Sequence, residues 1–125
     1  MLSLLGYSRE RRTAKEGSED ITVELDIAAG DFEIVDYSKH EVAKKYLPLN
    51  ELIVINDGST KLKVYYNQTK DDFDIVPAGG VLSKDNKAIR SLKVENLDSS
   101  NAGHAVIHAR KRPMKTDDLI RKLIP

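Results

Sequence analysis

The chain has 125 residues, 40% of them hydrophobic and 32% charged, a composition that suits one globular domain and excludes a disordered chain. Its 20 basic and 20 acidic residues cancel, so the net charge gives no general attraction to nucleic acid or membranes. The absence of cysteine excludes disulfides and thiolate metal sites, and no apolar run approaches the roughly 18 residues of a membrane span.

The first 20 residues are predicted to form an extended arm. A short apolar cluster, too short for the core of a signal peptide, precedes a polar segment rich in arginine. The residues concerned are Leu2, Leu4, Leu5, Tyr7, Arg9, Arg11 and Arg12. Such a terminus becomes ordered only when something holds it. The arm is expected to cover an edge of the protein's own sheet or to dock on another subunit.

The first strands follow directly. Residues 21–27 alternate between apolar and polar side chains, which predicts a half-buried strand. Residues 32–37 predict a second strand with Phe32 and Ile34 on one face. The segment 38–45 begins with a serine and has a glutamate at the third position of a capping box, so a single helical turn is predicted there.

Residues 52–111 predict an antiparallel β-meander of short strands separated by turns. Asp57-Gly58 predicts a tight hairpin, because both residues tolerate a positive φ. The stretch 76–80, with one proline and two glycines, predicts a sharp corner at a strand end. The last strands are predicted over residues 88–97, with a bulge after Ile89, and over residues 102–111.

The C-terminus changes to a helical period. A threonine and two aspartates favour a helix start, and apolar residues follow at helical spacing: Leu119, Ile120, Leu123 and Ile124. A helix of about two turns needs a packing partner to be stable. The chain is therefore divided into an arm (1–20), an all-β domain (21–112) and an amphipathic helix (113–125). The predicted fold is a single antiparallel β-sandwich or jelly-roll-like barrel.

No cofactor or metal site is predicted. His104 and His108 share one face of a strand, but zinc requires three or four convergent ligands, so both are expected to be ordinary exposed residues without partners. Asp71, Asp72 and Asp74 offer oxygen ligands for calcium without the spacing of a known loop. A solvated acidic loop is the simpler expectation.

Two further features have alternative interpretations. The side chains of Tyr46, Tyr65, Tyr66 and Phe73 are candidates for a sugar-binding face, but are expected mostly in or near the core. Residues 67–69 match a glycosylation sequon by chance. No Ser-His-Asp or Cys-His arrangement can be argued, so the protein is predicted not to be an enzyme.

Residues 52–110 carry a recurrent order of features: a strand ending in Asn, a Gly-Ser turn, a Val/Tyr strand, a Pro-Ala-Gly corner and two final strands. The segments read LIVINDGSTKLKVYYN, IVPAGGVL, IRSLKVENL and AVIHARK. This order resembles small β-sandwich or jelly-roll virion proteins of tailed phages and related viruses, which decorate capsids or form adaptor rings. The chain departs from that pattern at Asp57, where Thr or Ser is expected, and in its C-terminal helix. The resemblance implies a structural protein made in the host cytoplasm and incorporated into the virion.

The leading hypothesis is a non-enzymatic assembly protein whose two termini make the contacts. Its expected partners are further copies of itself and another structural protein such as a capsid protein, with no specific nucleic acid and no membrane. One alternative is a ligand-binding β-sandwich such as a carbohydrate-binding module, which an extended aromatic face would favour. Another is an enzyme, which a deep pocket with convergent polar groups would favour.

Overall fold

A computed structural model describes residues 17–113 of the chain. This part contains eight strands: β1 (Ile21–Ile27), β2 (Phe32–Asp36), β3 (Leu49–Ile55), β4 (Leu62–Tyr66), β5 (Phe73–Val76), β6 (Val81–Ile89), β7 (Ser91–Asn96) and β8 (Gly103–Arg110). Two three-residue 3₁₀ turns are the helical elements within these residues. No helix in residues 17–113 has the length and apolar character to cross a bilayer.

The strands form two antiparallel sheets that confirm the predicted β-sandwich. The first sheet has the order β1-β8-β3-β6 and the second the order β2-β7-β4-β5. The inner faces share one hydrophobic core. Its largest fully buried side chains are Tyr37, Tyr66, Ile27, Leu49, Leu52, Leu62, Ile89, Leu92 and Ile107. The core therefore draws on both sheets and on the segment that joins β2 to β3.

Alternation along each strand decides which side chains enter the core. In β4, Leu62 and Val64 are buried while Lys63 and Tyr65 face outward, as expected from the two-residue period of a pleated strand. In β8, Ala105 and Ile107 are buried in the same way. Each of these two strands therefore buries one of its two faces.

The predicted meander is wrong in its connections. Of consecutive strands, only β4 and β5 are hydrogen-bonded neighbours, and every other connection crosses to the opposite sheet. Asp57-Gly58 accordingly links β3 to β4 across the sandwich and forms no hairpin. Alternation fixes the buried face of a strand, but it does not fix which strand lies beside it, because several pairings bury the same residues.

The predicted strand over residues 88–97 is also corrected. It divides at Arg90, so that β6 ends in the first sheet and β7 begins in the second. Ile89 is out of phase with Leu92 because the two side chains enter the core from opposite sheets, and no bulge separates them. Much of β6 was not predicted, because residues 83–87 are polar and mostly exposed at a sheet edge.

The predicted helical turn over residues 38–45 is replaced by two 3₁₀ turns, Tyr37–Lys39 and Ala43–Lys45. Asp36, rather than Ser38, caps the first turn, and its Oδ1 accepts a hydrogen bond of 3.0 Å from the Ser38 amide. The cap therefore lies two residues earlier than predicted, and Tyr37, the first residue of the turn, is fully buried in the core. The predicted C-terminal helix lies outside the described residues.

Candidate interaction surfaces

The beginning and the end of the described chain lie side by side at one place on the sandwich, here named the terminal corner. It is formed by Ser18, Pro48, Asn50, Lys111 and Arg112. The Ser18 amide donates to the Lys111 carbonyl at 2.8 Å, and the Lys111 amide donates to Ser18 Oγ at 2.7 Å. Asn50 Nδ2 donates to the Arg112 carbonyl at 3.1 Å, while the Arg112 amide donates to Asn50 Oδ1 at 2.6 Å. Lys111 Nζ donates to the Pro48 carbonyl. The first and last parts of the described chain thus lie at the same corner.

An ion pair lies beside this corner. Arg110 donates to Glu51 Oε1 at 2.7 Å, and this hydrogen bond raises the pKa of the Arg110 guanidinium. A shallow groove runs past the pair and is lined by Asp20, Ile53 and His108 as well. Arg110, at the end of β8, is therefore engaged with the sandwich through Glu51.

The sequence-predicted assembly contacts are Leu2, Leu4, Leu5, Tyr7, Arg9, Arg11, Arg12, Leu119, Ile120, Leu123 and Ile124, and all of them lie outside the described residues. The structure places the points where both of their segments begin. It does so through Ser18 and Asn50, two residues that the sequence patterns did not single out.

His104 has partners, contrary to the sequence-based expectation. On the outer face of the first sheet, its Nδ1 contacts Asp57 Oδ1 at 2.5 Å and its Nε2 contacts Glu24 Oε1 at 2.8 Å. Asp26 lies 3.9 Å from the same ring. The hydrogen bonds from Asp57 and Glu24 raise the pKa of His104. The sequence could not show this cluster, because its members come from β1, β8 and the β3–β4 loop.

His108, four residues along the same strand, contacts Thr22 Oγ1 at 2.9 Å and has a different environment. Within residues 17–113, no group of three or more histidine, aspartate or glutamate side chains is arranged to hold a metal ion.

The acidic loop after β4 pairs with lysines. Asp72 lies 2.7 Å from Lys87 Nζ, and Asp74 lies 3.1 Å from Lys84 Nζ. Asp74 also accepts a hydrogen bond of 2.7 Å from the Tyr66 hydroxyl. That hydrogen bond and the lysines lower the pKa of Asp74, against the opposing effect of its partial burial. Two of the three carboxylates considered for calcium therefore already have cationic partners.

Asn67, the acceptor position of the sequon, is used internally. Its Nδ2 donates to the Ala88 carbonyl at 2.8 Å, and its Oδ1 accepts from the Arg90 amide at 2.7 Å. The amide nitrogen and the amide oxygen of this side chain thus bind the end of β6 and the residue that connects β6 to β7.

The outer face of the second sheet carries two rows of side chains, here named the lysine–aromatic face. The strand register places Phe32, Glu95, Lys63 and Ile75 in the first row, and Ile34, Lys93, Tyr65 and Phe73 in the second. Each row crosses all four strands in the order β2, β7, β4, β5. Of the seven large hydrophobic side chains exposed in the described part, Phe32, Ile34, Phe73 and Ile75 belong to these rows, and Leu97 directly follows β7, two residues after Glu95. A concentration of exposed apolar side chains on one face is typical of an interaction surface.

The two lysines of this face lie over its aromatic rings. Lys63 Nζ is 4.0 Å from the Phe73 ring centroid, and Lys93 Nζ is 4.4 Å from the Phe32 ring centroid. Both ammonium groups also lie near Tyr65, at 4.9 and 5.3 Å. At these distances the rings attract the cations electrostatically. The face is therefore an apolar surface with two positive centres.

Of the tyrosines and phenylalanine considered for a sugar-binding face, the structure brings two together. Tyr65 and Phe73 are neighbours on the lysine–aromatic face, with ring centroids 5.8 Å apart and planes inclined by 51°. Tyr66 is buried, and Tyr46 packs against the core. Phe32 and Lys93 were missed as site residues, although the placement of Phe32 and Ile34 on one face of a strand was a usable signal.

No protein-family model matches this chain, and no curated protein sequence matches it. Among solved structures, the chain is similar to a protein of Bacillus endospore appendages, described as disulfide-linked pili, with a TM-score of 0.46 and 8% identity over 77% of this chain and 87% of that one. It is also similar to the Yersinia pseudotuberculosis-derived mitogen, with a TM-score of 0.43 and 12% identity over 79% and 91% of the two chains. Both TM-scores lie below 0.5, and neither protein's role transfers to this chain.

Proposed function

We propose that this protein is a non-enzymatic structural protein that joins a larger assembly through its two terminal segments. The observation that carries the proposal is the terminal corner. Reciprocal hydrogen bonds of Ser18 with Lys111 and of Asn50 with Arg112 hold the described residues nearest to the two terminal segments at one place, which supports the proposal. Two apolar, basic segments that start side by side provide one combined attachment to a neighbouring subunit.

The strand order supports a finer assignment of the fold. We propose that the fold is an eight-stranded jelly roll, an architecture found in viral capsid and lectin domains; the sheet orders β1-β8-β3-β6 and β2-β7-β4-β5, with connections mostly from one sheet to the other, support this assignment. We propose on this basis, and on the sequence resemblance over residues 52–110, that the assembly is a virion and that the protein decorates a capsid or forms an adaptor ring. Its partner there is a capsid or other structural protein.

The energetics of the terminal segments are sufficient for such an attachment. Fully burying one leucine-sized side chain contributes roughly 1.5–3 kcal/mol. Several of them at one contact offset the entropic cost of association. Leu2, Leu4, Leu119 and Leu123 supply such groups from the two ends.

The test is the mass of the protein in solution when its terminal segments are altered. Deleting residues 1–16, or substituting Leu119→Asp together with Leu123→Asp, is expected to abolish the larger assembly. The far-UV spectrum of the β-sandwich is expected to remain. Arg121→Ala with Lys122→Ala is the matched control in the same segment, and it leaves the apolar residues in place. The proposal is wrong if the altered chains assemble like the parent or if either change unfolds the sandwich.

A second candidate function is carbohydrate binding, which the exposed rings of Phe32, Tyr65 and Phe73 favour. Sugar rings stack on open aromatic faces. Here Lys63 and Lys93 lie over the rings, so a sugar would have to displace these ammonium groups or carry a carboxylate that pairs with them. Titration with neutral and acidic oligosaccharides tests this candidate, and Tyr65→Ala is expected to remove the binding.

A further inference from the structure

The rows of the lysine–aromatic face have a complementary order of side chains. The ends of each row are apolar, since one row runs from Phe32 to Ile75 and the other from Ile34 to Phe73. The two inner positions of each row hold one lysine and one group that attracts a lysine. That group is Glu95 in the first row and the ring of Tyr65 in the second.

We propose that this face binds the same face of a second copy, in a two-fold symmetric dimer. In a symmetric dimer the same patch serves on both copies, and it must be complementary to itself. A two-fold axis that lies in the interface, parallel to the strands and between β7 and β4, places β7 of one copy over β4 of the other. It likewise places β2 over β5. Two sheets packed in this way keep their strands nearly aligned, as sheets in sandwiches commonly do.

This arrangement pairs opposite charges within the first row. Glu95 of each copy lies against Lys63 of the other copy, and the pair occurs twice because of the symmetry. At the ends of the row, Phe32 lies against Ile75 of the second copy. No salt bridge joins Lys63 and Glu95 within one copy, although they are register partners on adjacent strands. The carboxylate of Glu95 is thus left for a lysine across the interface.

The second row is complementary by the same operation. Lys93 lies against the Tyr65 ring of the second copy, and a ring face attracts an ammonium group. Ile34 lies against Phe73 of the second copy, so apolar groups again meet at the ends of the row. No two like charges of the rows lie against each other in this dimer. This is required for the face of one copy to be buried against the same face of the other copy.

The size of the face predicts a weak dimer. Four strands about 4.8 Å apart and five residues long at about 3.3 Å each outline roughly 19 by 17 Å, or roughly 320 Å². Even doubled for the relief of the side chains, this stays below the roughly 800 Å² per partner of a standard interface. The contact adds to an assembly in which other attachments hold the copies together, because linked contacts reinforce each other.

The decisive experiment exchanges one charge pair between two full-length chains, Glu95→Lys and Lys63→Glu. In each variant alone, the Glu95–Lys63 contact of the dimer becomes a pair of like charges. In a mixed dimer of the two variants, every such contact again joins opposite charges. By analytical ultracentrifugation, the parent is expected to show a concentration-dependent dimer. Each variant alone is expected to raise the dissociation constant at least about tenfold, and an equimolar mixture is expected to restore dimers.

The matched control is Asp85→Lys, which makes the same change of charge on β6, in the other sheet. It is expected to dimerise like the parent. Thermal unfolding of each chain verifies that the sandwich is intact. The inference is overturned if the parent remains monomeric up to about 1 mM, or if the mixture remains monomeric while the parent dimerises. It is equally overturned if a monomeric parent binds an oligosaccharide or a single-stranded oligonucleotide through Tyr65.

This inference deepens the proposed assembly function, and the two are separated by repeating the mixing experiment with Leu119→Asp and Leu123→Asp also present. Loss of the larger assembly with retention of the restored dimer supports both proposals. A mixture that, with the terminal substitutions present, dimerises no more tightly than either charge variant alone overturns the face contact alone. An assembly that persists despite those substitutions overturns only the terminal attachment.

Discussion

Two asparagines at strand ends tie the loops of this sandwich to its strands. Asn56 Nδ2 donates to the carbonyls of Thr60, Val76 and Pro77 at 2.7–3.1 Å. Asn96 Nδ2 does the same for the loop after β1, where it reaches the Ile27 carbonyl at 3.2 Å. Both asparagines are buried. Because a buried carbonyl without a donor is costly, these side chains satisfy backbone groups that the strand ladders leave open.

Asn56→Asp is predicted to destabilise the protein strongly at neutral pH. The substitution keeps the shape of the side chain. It replaces the amide nitrogen, whose two N–H groups are shared among three carbonyl oxygens, with a carboxylate oxygen that repels those oxygens. The expected loss is about 3 kcal/mol, measured by urea denaturation. The loss is expected to be smaller near pH 4, where the buried carboxyl is protonated and donates one hydrogen bond. Asn86→Asp, at an exposed position of β6, is the control, with an expected change within about 0.5 kcal/mol. Equal losses in the two variants would contradict the role given to Asn56.

The cluster around His104 predicts a pH-dependent contribution to stability. The pKa of His104 is raised in the folded protein by Asp57 and Glu24. Below about pH 6.5 the unfolded histidine is also protonated, so the stabilisation is fully present. As the pH rises through the raised pKa of the folded state, the stabilisation is lost.

The measurement is the melting temperature of the parent and of His104→Gln between pH 5.5 and 9. The parent is expected to exceed the variant most at pH 5.5, and the difference is expected to shrink toward pH 9. His108→Gln, on the same face of the same strand and in contact with Thr22, is expected to show no such trend. A parent-to-variant difference that grows with pH would have the wrong sign for this cluster.

At the scale of elements, the turn after β4 contains two residues other than glycine whose backbone conformation is unfavourable. Asn67 and Gln68 have φ values of 55° and 56°, in the left-handed region that asparagine tolerates better than glutamine does. The Thr69 amide donates to the Tyr66 carbonyl at 3.0 Å and closes the turn. The sequence indicated a loop here but not that glutamine would occupy a position suited to glycine.

Gln68→Gly is therefore predicted to stabilise the protein by about 0.5–1 kcal/mol, since glycine adopts a positive φ without steric cost. The lost hydrogen bond from Gln68 to Ser91, at 3.3 Å, offsets part of the gain. Thr69→Gly in the same loop is the control. Thr69 is not among the residues with positive φ, and its substitution is expected to bring no gain. Chemical denaturation that shows equal effects of the two glycines would refute the assignment.

At the scale of the whole molecule, the terminal corner holds the last described residues against the sandwich. The Lys111 and Arg112 amides donate to Ser18 Oγ and Asn50 Oδ1, so side chains hold these two amides, in addition to the backbone hydrogen bond from the Ser18 amide to the Lys111 carbonyl. Removing these acceptors leaves the hydrophobic core untouched.

The double substitution Ser18→Ala and Asn50→Ala is predicted to speed hydrogen exchange at the Lys111 and Arg112 amides by about tenfold or more, with little change in the exchange of β8. Exchange reports local opening separately from global unfolding. Ser83→Ala, at an exposed position of β6, is the control. If β8 amides exchange faster as well, the corner belongs to the cooperative core and is no separate attachment.

The sequence alone determined most of the strands. The alternation of residues 21–27 and 102–111, and the placement of Phe32 and Ile34 on one face of β2, follow from the two-residue period of a strand. It did not determine β6, because a polar edge strand buries too few side chains to leave an alternating pattern.

Only the tertiary structure decided which strands are neighbours. Strand pairing in turn decided which side chains meet in the lysine–aromatic face and in the cluster around His104. The lysine–aromatic face requires β2, β7, β4 and β5 to lie side by side, although only β4 and β5 are consecutive in the chain. The cluster of His104 with Glu24 and Asp57 likewise joins residues 80 and 47 positions apart. Such contacts depend on strand pairing, which the hydrophobic pattern leaves open because alternative pairings bury the same side chains.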